Sequence, residues 1–188
     1  MSEVRASAQQ SGVMTRAVGT LFSIGVRRRP RGWLAHMVTP YAAAVGVWVI
    51  YSATYAVIHP WVLAVIFLCA VFGLLFLLVG ASPSSDTRRP AVFDWVCSIA
   101  GIASGIFFAI NAPVIIERIP ELDPLTAWDI FFGYVLLLLT LEATRRTTGL
   151  GLMIIVLTFV AYNFLGHLLG GVLNHAYIGS EYFIDMTV

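Results

Sequence analysis

Five long apolar runs, none interrupted by a charged residue in its middle, constrain this chain more than anything else in it. Each is long enough to cross a hydrocarbon core, which takes about 20 apolar residues as a helix. The runs are 33–58, 61–80, 93–112, 125–143 and 150–173. Backbone groups in lipid must be satisfied internally, and the runs do not alternate with period two as barrel strands do, so helix is the conformation expected. Composition agrees. Of 188 residues 59% are hydrophobic and 11% charged, against about 25% charged in a soluble domain. The fold expected is an all-α integral membrane protein with five transmembrane helices.

The breaks between runs carry their own signals. Pro60 opens the second run where a missing N–H costs nothing, and His59-Pro60 leaves only a tight hairpin turn after the first. The loop 81–90 is rich in Ser, Pro and Arg. Thr126-x-x-Asp129 has the form of a capping box and marks the start of the fourth helix. The longer loop Pro113–Pro124 interleaves Val114, Ile115, Ile116, Ile119 and Leu122 with Glu117, Arg118, Glu121 and Asp123. It is read as lying along a membrane interface, with a docking surface as the alternative.

Arginine counting sets the orientation expected. The chain contains no Lys. Arg5, Arg16, Arg27, Arg28, Arg29 and Arg31 precede the first run, Arg88 and Arg89 lie between the second and third, and Arg145 and Arg146 between the fourth and fifth. The alternate loops hold only Arg118. The N-terminus is therefore expected inside and the C-terminus outside. Residues 1–32 form a basic cytoplasmic arm, 33–173 the membrane domain, and 174–188 an extracytoplasmic tail. The short patch Leu21–Val26 cannot span; it lies on an anionic leaflet or belongs to a disordered tail. No signal peptide is expected, because the first run begins some thirty residues in and no small-x-small site follows it. Arg27-Arg28-Arg29-Pro30-Arg31 lacks the flanks of a twin-arginine signal. Cys69 and Cys97 sit inside apolar runs and read as small packing residues.

Groups that could carry chemistry are few. Asp94, Asp129 and Glu142 lie within a turn or two of a run's end, so neither a proton-relay acid nor a counter-ion pair is expected at mid-membrane depth. Asn163 and His167 fall four apart and share one helix face. They read as a polar helix-interface pair, with a ligand or gating role as the alternative; no carboxylate or thiol accompanies them to hold a metal. His36, His59 and His175 lie at run ends and read as interfacial. Gly101-x-x-x-Gly105, Gly166-x-x-x-Gly170 and Ala42-x-x-x-Gly46 are small-residue stripes of the kind that let helices approach closely. Trp33, Trp61, Trp95 and Trp128 fit aromatic belts, while Trp48 is expected to pack. Glu142 and Arg146, in the favourable order at i,i+4, are expected to form an exposed ion pair contributing about 0–1 kcal/mol. Arg145 is expected to snorkel toward phosphates.

A resemblance enters at the fourth and fifth runs. Thr126–Gly133, the apolar stretch after it, and Leu141-Glu142-Ala143-Thr144-Arg145-Arg146-Thr147-Thr148-Gly149 resemble the N-terminal region of TRAP transporter permeases of the TAXI-associated branch. In those fused permeases a small Q-like region precedes a large M-like transport region. The resemblance covers roughly 33–188, most specifically in the Leu-Glu-Ala-Thr-Arg-Arg run. It implies a small scaffold subunit of a tripartite secondary transporter in a bacterial or archaeal inner membrane. It further implies sodium coupling, import of organic acids such as dicarboxylates, a large M-type permease subunit and an extracytoplasmic TAXI-type substrate-binding protein as partners. Because the M-like region with its substrate sites is not in this sequence, the chain is expected to be a separate small subunit or the front of a fusion. Glu142, Arg145 and Arg146 then serve structure and orientation. No catalytic residue, cofactor, metal or nucleic acid is expected, and the chain is read as not an enzyme. The competing readings are a stand-alone membrane assembly or regulatory protein, and a small membrane enzyme using Asn163 and His167.

Overall fold

The computed structural model describes residues 25–28, 32–55, 58–81, 85–86, 89–119 and 123–187. Arg5, Arg16, Arg29, Arg31, Arg88, residues 21–24 of the apolar patch, and Glu121 and Leu122 of the loop lie outside them. Among the described residues every regular element is helical, with one isolated antiparallel bridge between Arg27 and Val79. The helices are α1 (Trp33–Thr54), α2 (Pro60–Leu78), α3 (Val92–Glu117), α4 (Ala127–Thr148), α5 (Leu150–Leu165) and a short α6 (Ser180–Thr187), with single 3-10 turns at Gly166–Leu168 and Gly171–Leu173. Five of these helical stretches are long and apolar enough to cross a membrane, as a multi-pass membrane protein requires.

Several boundaries differ from those read from hydropathy, each for a local reason. α1 stops at Thr54 rather than 58, so the connection to α2 is longer than a two-residue turn. α3 continues through Pro113 to Glu117, so the first residues of the expected interfacial loop are helix. A proline ring clashes with the carbonyl four residues back, but here the helix carries on for one further turn and ends. At 26 residues, α3 is about 39 Å long at ~1.5 Å per residue and exceeds a ~30 Å core. α4 runs to Thr148 rather than 143, because Gly149 at φ 84° supplies the left-handed turn that ends it. Its start is capped reciprocally: Thr126 N–H donates to Asp129 Oδ2 at 2.9 Å, and Asp129 N–H to Thr126 Oγ1 at 3.4 Å.

The closest packing is between α2 and α3. A Cβ on Gly101 would sit 2.8 Å from Phe72 Cβ, and one on Gly105 2.8 Å from Cys69 Cβ, so the two backbones approach as closely as they do only because both positions lack a side chain. Around this contact Cys69, Phe72, Phe76, Cys97, Phe108, Leu136, Leu139 and Ala143 form the core. Both cysteines are free and buried. Ser98 is buried too and donates to the Gly73 carbonyl at 2.7 Å. α1 and α5 are peripheral by contrast: only Leu34 and Ser52 of α1 are buried, and no residue of α5. α1 touches the rest through Trp33 stacked on Trp95 and through Tyr41 Oη, which donates to the Ala70 carbonyl. Trp48 is half-buried.

α5 ends at Leu165, well before 173, and the chain turns back. Gly166 lies so close under His175 that a Cβ there would be 2.1 Å from Nε2. Tyr162 Oη donates to the Leu173 carbonyl, and Asn174 Nδ2 to the carbonyls of His167 and Leu169. The tail beyond 174 then docks rather than trailing away: Ile184 of α6 is fully buried, Phe183 meets Phe164, and Asp185 pairs with Arg118 at the end of α3.

The α2/α3 seam yields a direct test. Gly105→Leu should destabilise the purified chain by about 1–3 kcal/mol through overpacking. Gly46→Leu should leave it unchanged, because nothing lies within 4 Å of a Cβ there. Thermal unfolding in detergent reads both; equal midpoints for the two variants would contradict the seam.

Candidate functional site

One end of the bundle gathers the end of α2, the start of α3, the end of α4 and the segment Gly25–Arg28. Helix α2 ends without a glycine cap, leaving its last carbonyls in need of donors. Arginines supply them. Arg28 Nη1 lies 3.4 Å from the Phe76 carbonyl and 3.5 Å from that of Leu77, and Arg146 Nη1 lies 3.0 Å from that of Val79. Cationic groups are also favoured there by the helix dipole. The segment Gly25–Arg28 is stitched on by backbone: Arg28 N–H to Leu78 O at 2.7 Å, Gly80 N–H to Val26 O at 2.9 Å, and Gly25 N–H to Arg146 O at 2.8 Å. A Cβ on Gly25 would fall 2.3 Å from the Gly80 carbonyl, so this strap fits only a glycine at that position.

At the centre is Asp94, in the first turn of α3 and 1% exposed. Its Oδ2 pairs with Arg28 Nη2 and its Oδ1 with Arg146 Nη1, both at 2.7 Å. Oδ2 also accepts the Ala91 N–H at 2.8 Å, which fixes the carboxylate at the helix start. Arg146, fully buried, continues the chain by donating Nε to Glu142 Oε1 at 2.7 Å. Glu142 in turn holds Arg145 with two bonds, Nε to Oε2 at 2.8 Å and Nη2 to Oε1 at 2.7 Å. Arg145 Nη1 donates to the Ala81 carbonyl. The Arg146 guanidinium further lies 4.9 Å from the Phe76 ring centroid and 5.7 Å from that of Phe93. Five charged side chains thus alternate in sign: Arg28, Asp94, Arg146, Glu142, Arg145.

The pairs that Asp94 makes with Arg28 and Arg146 lie at the bundle's end, where helix ends converge, and not at mid-depth. Three expectations are corrected here. The Glu142–Arg146 pair is not an exposed surface pair, since Arg146 is packed under Phe76 and Phe93. Arg145 does not snorkel away; it is bound to Glu142 and to Ala81. Arg28, counted as part of a solvated arm, is 4% exposed. The sequence could not link Arg28 or Asp94 to Arg146, because nothing in spacing joins positions on three separate segments.

Asn163 lies in the last turn of α5 and His167 in the 3-10 turn that follows it directly, edge-on to Tyr177 at 5.1 Å. Asn163 Oδ1 and His167 Nδ1 are buried, and neither has a hydrogen-bond partner among the described residues. His175 has a partner at each ring nitrogen: Nδ1 is 2.6 Å from the Ala176 carbonyl and Nε2 3.1 Å from that of Tyr162. Both neighbours accept, so both ring nitrogens donate only in the imidazolium form. The Ala176 carbonyl first, then that of Tyr162, raise the His175 pKa above its usual value. Among the described residues no group of three or more His, Cys, Asp or Glu side chains could hold a metal ion.

Comparison with family models, curated proteins and solved structures gives no match to the chain.

Asp94→Asn should cost about 3–5 kcal/mol, since it leaves two buried guanidiniums facing an amide. Glu142→Gln, which leaves Arg146 its bond to Asp94, should cost less; thermal unfolding in detergent ranks them. For His175 the folded pKa is raised, so its contribution to tail docking is complete below the usual histidine value of about 6.5 and is lost as pH rises through the folded pKa. Protection factors of the 166–187 amides, with the intrinsic base-catalysed rate divided out, should accordingly fall on the alkaline side, and His175→Ala should remove that fall.

Proposed function

We propose that this chain is a small membrane scaffold subunit of a TRAP-type tripartite secondary transporter of the TAXI-associated branch. It braces a large M-type permease subunit that works with an extracytoplasmic binding protein to import organic acids, driven by sodium. The N-terminus faces the cytoplasm and the tail faces outward, in a bacterial or archaeal inner membrane. The chain itself is not an enzyme and does not conduct solute.

The observation that supports this reading most is where charge is and is not. Every charged side chain of the described spanning helices lies near a helix end. The helix middles offer no ionisable pair and no broken half-helices of the kind that form midplane ion and substrate sites. Meanwhile the two peripheral helices leave apolar faces uncovered, with Val47, Ile50, Ile154, Ile155 and Phe159 each more than half exposed. Gly46, with nothing within 4 Å of a Cβ position, sits on such a face with Ala42. In lipid, small residues at an uncovered face favour close helix association. A rigid body locked at one end and uncovered along its sides suits bracing a partner better than moving a solute. The resemblance of Leu141–Gly149 to the permease family names which partner.

Vesicles containing only this polypeptide should show no organic-acid uptake under a sodium gradient. The detergent-solubilised chain should co-purify with a much larger apolar subunit, and Gly46→Leu should reduce that recovery about tenfold for ~1.4 kcal/mol of lost contact while leaving the isolated chain's stability intact. Uptake by the chain alone, or purification of the chain without any permease from its own membranes, would overturn the proposal.

A further inference from the structure

A groove of about 390 Å³ opens beside the ion cluster, lined by Gly25, Arg27, Val71, Leu74, Leu75, Leu78, Val79, Arg146 and Thr147. Its two halves differ in chemistry. The head lies at the charged end of the bundle, between the Gly25–Arg28 strap and the last turn of α4. The body runs along α2, where Val71 to Leu78 covers about 10 Å at ~1.5 Å per residue and presents only aliphatic side chains.

Three observations point to an anion at the head. Among the described residues the ion-paired set at this end contains three guanidiniums, Arg28, Arg145 and Arg146, against two carboxylates, Asp94 and Glu142, one positive charge in excess. Arg146 lines the groove, is fully buried, and its Nη2 has no hydrogen-bond acceptor among the described residues. A buried guanidinium nitrogen without an acceptor is costly unless a ligand or water supplies one. Arg27, finally, is exposed at the rim and adds a further positive charge. A phosphate, with several acceptor oxygens, is the chemistry that guanidinium groups recognise best. A soluble anion would leave the aliphatic body of the groove empty. An amphiphile fills both halves.

We propose that this groove binds one anionic phospholipid, its phosphate at the exposed Arg27 with the buried Arg146 guanidinium behind it, and one acyl chain along Val71, Leu74, Leu75 and Leu78. The lipid offsets the excess positive charge of the ion cluster and covers the wall of α2 next to the strap. Binding is a property of this chain alone and does not depend on what larger assembly it joins.

The test uses the full chain, purified in mixed micelles of phosphatidylglycerol and phosphatidylcholine and examined by native mass spectrometry. One phosphatidylglycerol should be retained per chain in preference to phosphatidylcholine. Arg27→Gln should lower that preference about fivefold, the ~1 kcal/mol of one arginine near an anionic headgroup. Arg89→Gln removes an exposed arginine outside the groove and should leave the preference unchanged. Leu75→Trp, which fills the body of the groove, should reduce retention of both lipids. Equal retention of the two lipids, or equal loss in Arg27→Gln and Arg89→Gln, would overturn the proposal. So would displacement of the bound lipid by millimolar inorganic phosphate, which would assign the head to a free anion.

Discussion

The carboxylate of Asp94 is shared by two guanidiniums that arrive from opposite directions in the chain, and the arrangement of one whole end of the molecule depends on that sharing. Arg28 comes from a strap ahead of the first helix, Arg146 from the last turn of the fourth, and Asp94 itself from the first turn of the third. Each guanidinium also reaches the final carbonyls of the second helix. Four segments are thereby fixed to one point. Ion pairs this deeply buried gain little over well-packed apolar groups, because desolvation of each charge costs several kcal/mol. Their worth lies in direction. Dispersion among leucines accepts many rotations of one helix about another, whereas a carboxylate held between two forks accepts few.

The apolar part of the structure divides the work differently. Between the second and third helices Gly101 and Gly105 let backbone approach side chain closely, and the contact is dense. The first and fifth helices have no comparable seam. Lipid tails are as apolar as leucine, so uncovered leucines there carry no penalty in a bilayer, and only close backbone approach or polar bonds would draw a helix inward. The result is a tight middle of three helices with two outriggers, one tethered by Trp33 and Tyr41 and the other by the Gly149 turn and the folded tail.

Much of this was legible in the sequence. The spans follow from hydropathy because lipid admits little else, and Thr126 with Asp129 announced a helix start that the hydrogen bonds bear out. Gly101 and Gly105 signalled a contact, and Pro60 a helix opening. What escaped was set by tertiary partners. Asp94 looked like a charge near a helix mouth, which it is, but its two arginines are far away in sequence and invisible to any local pattern. The end of the fifth helix was misplaced because residues 166–173 are as apolar as a helix; the imidazole of His175 resting on Gly166 is what turns the chain.

The strap has a consequence for how the molecule is built. Arg28 is synthesised before the first of the five helices, yet its carboxylate lies on the third and the arginine that shares it on the fourth. During synthesis, then, Arg28 lacks the carboxylate it pairs with and stays hydrated at the surface. Only after the fourth segment is in place does the same side chain trade water for Asp94 and become sealed inside. The buried pair thus records that the helices following the strap have been assembled in the right order.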